Sequence, residues 1–239
     1  GGFTDVTGEA GLGWTSVAYT GFGTAAIDLD LDGDLDLFVA NGRVYLTPPL
    51  PNTSLPAPWN RLAEPNLLYL NDGNARFTLA GREGAPLCDQ VEITRGVAVG
   101  DIDNDGDVDI VVSNVRSRSR IYRNDAPRRG KWLGVRARDP RLKRDALGAR
   151  VTVTSAGRRV SRTITSGYSY LSSSDPRAHF GLGAMDKIDQ VDVKWPDGLH
   201  ERFRGLQLNR YVELIRGTAE KIDYEPAQTP QTPSLAEKP

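Results

Sequence analysis

Short runs in which apolar and polar residues alternate, rich in β-branched side chains and broken by glycine, proline and asparagine, recur along the chain. Alternation with a period of two is the signature of half-buried strands. In the first half it predicts strands at Thr24 to Ile27, Leu35 to Ala40, Leu67 to Leu70 and Phe77 to Leu79, then Gly96 to Val99, Val108 to Ser113 and Ile121 to Arg123. The second half gives Trp132 to Arg138, Ala149 to Thr154, Arg159 to Thr165, Ala178 to Leu182, Val191 to Trp195 and Tyr211 to Ile215. No stretch of useful length carries helical periodicity, so the chain is expected to be all-β.

The first half is a repeat. FTDVTGEAG at Phe3 recurs as FTLAGREGA at Phe77, and AAIDLDLDGDLDLFVAN at Ala25 recurs as VAVGDIDNDGDVDIVVSN at Val97. NLLYLND from Asn66 matches SRIYRND from Ser119 at an offset of 53 residues. Four short strands per copy describe a β-propeller blade, so two blades of a partial propeller are expected. The second copy lacks its fourth strand, whereas Phe3 to Thr7 reads as a fourth strand with no blade before it in this sequence, which either completes the last blade or belongs to the end of a longer propeller. Two blades do not close a ring, and an open array leaves unpaired edges that the C-terminal half of this chain, another copy or a different protein would cover.

These patterns divide the chain into a blade's fourth strand (1–14), a blade with a proline-rich insertion at 43–65 (15–95) and an incomplete second blade (96–130). An antiparallel β-sandwich or barrel follows (131–217), then a proline-rich tail (218–239). The insertion reads as an extended surface loop that Trp59 pins down, and the tail as a linker. Within the insertion, Asn52-Thr53-Ser54 fits the glycosylation sequon, a short match relevant only to a eukaryotic secretory pathway.

The two halves differ in charge: nine basic and eighteen acidic residues up to Asp125, then 21 basic and 13 acidic, or −9 against +8. The basic excess is densest from Arg116 to Arg144, with ten arginines and two lysines. Such a stripe offers an anionic partner a surface, or is a solvated face balancing the acidic half. Its aromatic residues are not interleaved in a nucleic-acid pattern, which argues against nucleic acid. No apolar run reaches the roughly 18 residues of a membrane span, and the start at Gly1 has neither the basic region nor the apolar core of a signal peptide. Cys88 is the only cysteine, so neither an intrachain disulfide nor a cysteine metal cluster can form, and it reads as a small buried hydrophobe.

The acidic excess comes from two loops. DLDLDGDLD places Asp28, Asp30, Asp32, Asp34 and Asp36 at alternate positions with Gly33 sixth; DIDNDGDVD repeats this with Asp101, Asp103, Asp105, Asp107, Asp109 and Gly106. Five carboxylates in nine residues repel one another unless a cation relieves them. Calcium accepts 6 to 8 oxygens in flexible geometry, so each loop is expected to bind one Ca2+. By analogy with loops of this spacing, the first, third, fifth and ninth residues supply carboxylates and the seventh its backbone carbonyl. Val39 and Val112 at the twelfth position, in place of glutamate, exclude an EF-hand. Millimolar-range affinity, typical of extracellular modules, would leave such loops part-empty in cytosol, which points to an extracytoplasmic location.

For catalysis the inventory is thin: His179, His200, one cysteine and no nucleophile motif, so no catalytic residue is expected. The hydroxyl- and aromatic-rich stretch from Ser166 to Arg177 either binds a sugar-like ligand or is a set of turns whose hydroxyls satisfy their own backbone.

The two aspartate-loop copies resemble FG-GAP (VCBS) repeats of integrin-type propellers. WLGVRARD, ALGARVTVTSAGRR, SGYSYLSSSDPRAHFGLG, VDVKWPDG and LNRYVELI, between Trp132 and Ile215, resemble the ASPIC/UnbV domain. This resemblance implies calcium at the ten aspartates, extracellular placement and a role in adhesion or matrix interaction. The function expected is a calcium-stabilised extracytoplasmic binding or scaffold protein, a subunit or adhesion module whose propeller other chains complete. The alternative is a calcium-dependent cyclase- or hydrolase-type enzyme with a site between propeller and C-terminal domain.

Overall fold

The structure is a computed structural model that describes residues 2–80, 86–128 and 130–223. It is all-β, as the alternation predicts. In the first repeat copy, β1 (Gly21–Ile27), β2 (Asp36–Asn41), β3 (Glu64–Pro65), β4 (Leu67–Asn71) and β5 (Phe77–Leu79) follow in order. β1, β2, β4 and β5 form an antiparallel four-stranded sheet. The second copy brings β6 (Val91–Glu92), β7 (Thr94–Gly100), β8 (Asp109–Asn114) and β9 (Arg120–Tyr122), and its sheet is the three-stranded β7-β8-β9. Both sheets share one core of Ile27, Phe38 and Leu68 against Val97, Ile110 and Val112. Cys88 is buried there as an apolar side chain.

The proline-rich insertion is not wholly a surface loop. It ends in a 3-10 turn at Trp59–Arg61 and in β3, which pairs with β6. Leu55, Ala63, Val91 and Ile93 make a small core of their own, with Trp59 packed on it. Asn60 and Leu62 take their hydrogen bonds within the insertion, which is how a segment poor in ladder donors stays ordered. The expected strand at Phe3 to Thr7 does not form; turns begin at Thr7. A strand needs an edge to pair with, and no strand among the described residues pairs with this segment.

From Lys131 the strands are β10 (Lys131–Asp139), β11 (Arg144–Asp145), β12 (Arg150–Ser155), β13 (Arg158–Thr163), β14 (Ala178–Gly183), β15 (Gln190–Lys194), β16 (His200–Phe203), β17 (Arg210–Ile215) and β18 (Glu220–Lys221). β11-β10-β14, with β17 on the other side of β10, forms one sheet; β13-β12-β15-β16-β18 forms the other. Leu133, Val135, Phe180 and Leu214 of the first sheet meet Val151, Val153, Val191 and Val193 of the second, so the arrangement is a sandwich and neither sheet closes into a barrel. It is not purely antiparallel. β10 and β17 run parallel over Leu133↔Arg210 to Arg138↔Ile215.

β16 is a strand the alternation does not reveal, because its core-facing residue is a carboxylate. Glu201 is fully buried and accepts hydrogen bonds from the backbone N–H of Gly217 and Ala219, bracing the turn before β18. The tail beyond residue 223 lies outside the described residues.

Candidate metal centres

The two aspartate loops have one hydrogen-bond frame. In each, the first carboxylate accepts the N–H of the sixth-position glycine: Gly33 to Asp28 Oδ2 at 2.9 Å and Gly106 to Asp101 Oδ2 at 2.8 Å. In each, the ninth carboxylate accepts two backbone N–H groups, Leu29 and Asn71 on Asp36, Ile102 and Asn124 on Asp109. The glycines sit at φ +100° and +102°, where a side chain would be strained. The fourth residues, Leu31 and Asn104, are left-handed too, at φ 64° and 59°. Asparagine tolerates that conformation; leucine adopts it here with its side chain fully buried.

Folding brings together Asp28, Asp30 and Asp32 in the first loop and Asp101, Asp103 and Asp109 in the second, each group offering carboxylate oxygens within 4.8 Å of one another. Asp36 and Asp105 stand outside these groups. The seventh residues point their carboxylates at arginines, Asp34 toward Arg158 at 3.9 Å and Asp107 onto Arg128 at 2.8 Å. Those side chains are therefore directed away from ligation, in keeping with a backbone carbonyl as the ligand at that position.

The donor set fits a hard divalent cation. Asp28 is 3% exposed and its Oδ1 has no hydrogen-bond partner. Burial pushes its carboxyl up to about 7, with the charges of Asp32, Asp30 and Asp36 adding to the shift and the Gly33 N–H opposing it. Burial likewise pushes Asp36 up to about 6. A buried, unpartnered carboxylate oxygen is costly alone, and a cation offsets that cost.

β14 connects both loops to the sandwich core. Its even residues, Ala178, Phe180 and Leu182, pack in that core. Its odd residues face the loops. His179 Nε2 donates to Gly106 O at 2.8 Å, a side-chain Cβ at Gly181 would lie 1.8 Å from Asp28 Oδ2, and Gly183 N donates to Leu31 O at 3.0 Å. Burial lowers the His179 pKa, with the Gly106 hydrogen bond opposing the shift.

Around the second loop the grip is made by side chains. The Tyr211 hydroxyl donates to Asp101 Oδ2 at 2.6 Å, and burial together with that bond pushes its pKa up. Arg177 donates to Asn104 Oδ1 at 2.7 Å and Asp101 O at 2.9 Å, lying 4.1 Å from the Tyr211 ring centroid. Trp132 stacks beside His179 and Tyr211 and covers Gly106. None of these four is legible as a loop partner in the sequence, because each is far along the chain and reaches Asp101 to Gly106 only through the docking of the sandwich. The alternation of β14 was the available signal: its glycines fall on one face.

The Ser166 to Arg177 stretch is largely a docking segment. The Ser174 hydroxyl accepts Val99 N at 3.2 Å, Asp175 N donates to Val99 O at 3.0 Å and Ser174 N donates to Ser166 O at 2.8 Å. His200 lies half-buried on β16. In the basic stripe, Arg120, Arg123, Arg128, Arg136, Arg138 and Arg141 are each ion-paired to a carboxylate of this chain, as with Glu92, Asp145 and Glu213.

Comparison with known proteins places the second loop and most of the sandwich. Residues 139–221 match the family model described as ASPIC and UnbV, and residues 59–112, which contain the second aspartate loop, match that of the FG-GAP-like repeat. The chain carries an FG-GAP-like repeat and an ASPIC and UnbV domain. Across 95% of its length it is 28% identical to human cartilage acidic protein 1, and across 72% it is 31% identical to that of Xenopus tropicalis. It spans 40% of the human protein and 25% of the frog protein. The FG-GAP-like match excludes the first aspartate loop, which is recognised instead by sharing the second loop's hydrogen-bond frame. The ASPIC and UnbV match takes in only the last residue of β10, although that strand is the centre of its sheet. Among the described residues no helix is long and apolar enough to cross a membrane.

Proposed function

We propose that this chain is a calcium-stabilised extracytoplasmic binding or scaffold module, with one Ca2+ in each aspartate loop and with other chains completing the propeller. In this reading Asp28, Asp30, Asp32 and Asp101, Asp103, Asp109 hold the ions, braced by Asp36 and Asp105, with the backbone carbonyls of Asp34 and Asp107 as further ligands. The observation that carries it is the grip of β14 and Tyr211 on both loops: the sandwich docks on the very residues that would wrap the ions. Bound metal then fixes not only two turns but the relation between the repeat sheets and the sandwich. The match to cartilage acidic protein 1 supports the extracytoplasmic and interaction role.

The test is calorimetric titration of metal-stripped protein with calcium, alongside thermal melts with and without chelator. Two equivalents with a raised melting temperature are expected. A chelator-insensitive melt and no heat of binding would end the reading.

An enzymatic reading has one observation in its favour, a cavity of about 260 Å3 lined by Asp28, Asp101, Arg162, Tyr168, His179 and Tyr211. Most of its polar groups are already committed, Tyr211 to Asp101, His179 to Gly106 and Arg177 to Asp175. A site whose acid–base groups are spent on backbone and on one another favours architecture over catalysis.

A further inference from the structure

The second sheet of the sandwich has a face that the metal centres leave unused. Val151, Val153, Val191 and Val193 turn inward to the core, so the residues alternating with them on β12 and β15 turn outward. With residues of β13, β16 and the β18 end they line an open concavity of about 730 Å3. That volume is within the range of ligand sites.

Strand pairing sets these side chains in rows across the sheet. In the middle row Thr152 stands between Ser161 and Asp192, with Arg202 beyond. This row satisfies itself: the Thr152 and Ser161 hydroxyls share a hydrogen bond at 2.8 Å, and Arg202 donates to Asp192 at 2.7 and 3.0 Å. The row beside it is different. Arg150 stands opposite Lys194 and Lys194 opposite His200, so three basic side chains lie abreast with no carboxylate between them. Arg150 and Lys194 are exposed, and Arg150 makes no ion pair among the described residues. Like charges directly opposite one another destabilise a sheet. The Lys194 charge also adds to burial in lowering the His200 pKa, with Asp192 opposing. A third row, on the far side of the middle one, holds Arg159, Thr154 and Gln190. The other acidic residues of the lining, Glu220 and Asp223, belong to the β18 end, where Glu220 lies 3.8 Å from Arg204.

We infer that this face binds a sulfated oligosaccharide, its sulfates on the Arg150, Lys194 and His200 row and its hydroxyls over the Thr, Ser and Gln side chains of the other rows. The basic row covers two strand spacings, roughly 10 Å, which is too wide for one small anion and suits groups on successive sugars. Arginine and lysine make charge-assisted hydrogen bonds to such oxygens, and the bound anions relieve the repulsion within the row. A nucleic acid fits less well. Single strands stack their bases on aromatic side chains, and the His200 imidazole is the one ring in the described lining. The inference gives the scaffold reading a ligand class and rests on it for the extracytoplasmic setting, not for calcium.

The experiment titrates the protein with a heparin-derived hexasaccharide by calorimetry at about 0.15 M salt, where long-range attraction is screened. Saturable binding is expected, weakened about tenfold by Arg150→Ser and by Lys194→Ser, the loss of one charge-assisted bond each. Both variants should melt no lower than the parent, because each removes one of two opposed like charges. Arg118→Ser, an exposed arginine outside the face, should bind as the parent does. In the parent, backbone exchange of β12, β15 and β16 should slow when the hexasaccharide is added, a readout that needs no variant. Absence of binding or of that protection overturns the proposal. So does an equal loss in Arg118→Ser, or equal binding of a neutral maltohexaose, an oligogalacturonate of the same length or an oligonucleotide. Calcium titration of the same samples reads the metal centres separately, so failure here is distinguishable from failure there.

Discussion

At the scale of single residues, the second loop depends on groups that hold its carboxylates in place. Tyr211 donates to the Asp101 oxygen that also accepts Gly106 N. Removing a partner that orients a metal ligand typically costs 10–100-fold in affinity. Tyr211→Phe is therefore expected to weaken calcium at one of two sites by about tenfold and leave the other unchanged, read as a split in a previously uniform titration. Gly106→Ala acts on the fold as well as on the site. Its φ of +102° strains any side chain and its new Cβ would fall 2.2 Å from the Trp132 ring. A loss of at least about 2 kcal/mol is expected in urea unfolding, since backbone strain of this kind costs about 1–3 kcal/mol before the clash is counted.

At the scale of elements, the end of β10 is tied by charge to its parallel partner β17 and to the turn after β15. Asp139 accepts from Arg141 at 2.7 Å and lies 3.9 Å from Arg216, and both arginines reach Asp197. The Arg141 hydrogen bonds hold Asp139 at about 2, below the usual carboxylate range. A folded-state pKa depressed in this way adds stability above the unfolded value of about 3.9, lost as pH falls toward 2. The urea midpoint should decline over that window, and Asp139→Asn should flatten the decline; an unchanged slope would remove the network from the account.

At the scale of the molecule, calcium is expected to act on the docking of the sandwich. Ligand at a hundred times its dissociation constant stabilises by about 2.7 kcal/mol per site. Chelation should therefore lower the melting temperature and raise backbone exchange first at β14 and at residues 170–175, where the sandwich meets Val99 and both loops. Hydrogen exchange with and without chelator reads this directly. Exchange that rises only inside the aspartate loops would confine the ion to a local staple.

Sequence alone determined the local features. Period-two alternation placed most strands within one or two residues, and the repeated DxDxDGDxD spacing named both loops, because each depends on residues adjacent in the chain. It also exposed the inequality of the two copies, four strands against three. What it left dark has one physical cause. Tyr211 on Asp101, His179 on Gly106 and Gly181 beside Asp28 join residues 73 to 153 positions apart, and no local pattern encodes such meetings. The parallel pairing of β10 with β17 and the buried Glu201 of β16 belong with them, since strand direction and the tolerance of a core carboxylate are set by what packs opposite. Which carboxylates converge on a common centre, and which are spent on backbone N–H groups and arginines, was likewise decided by tertiary structure: the sequence spaces ten aspartates evenly, but only the folded chain gives each a different neighbour.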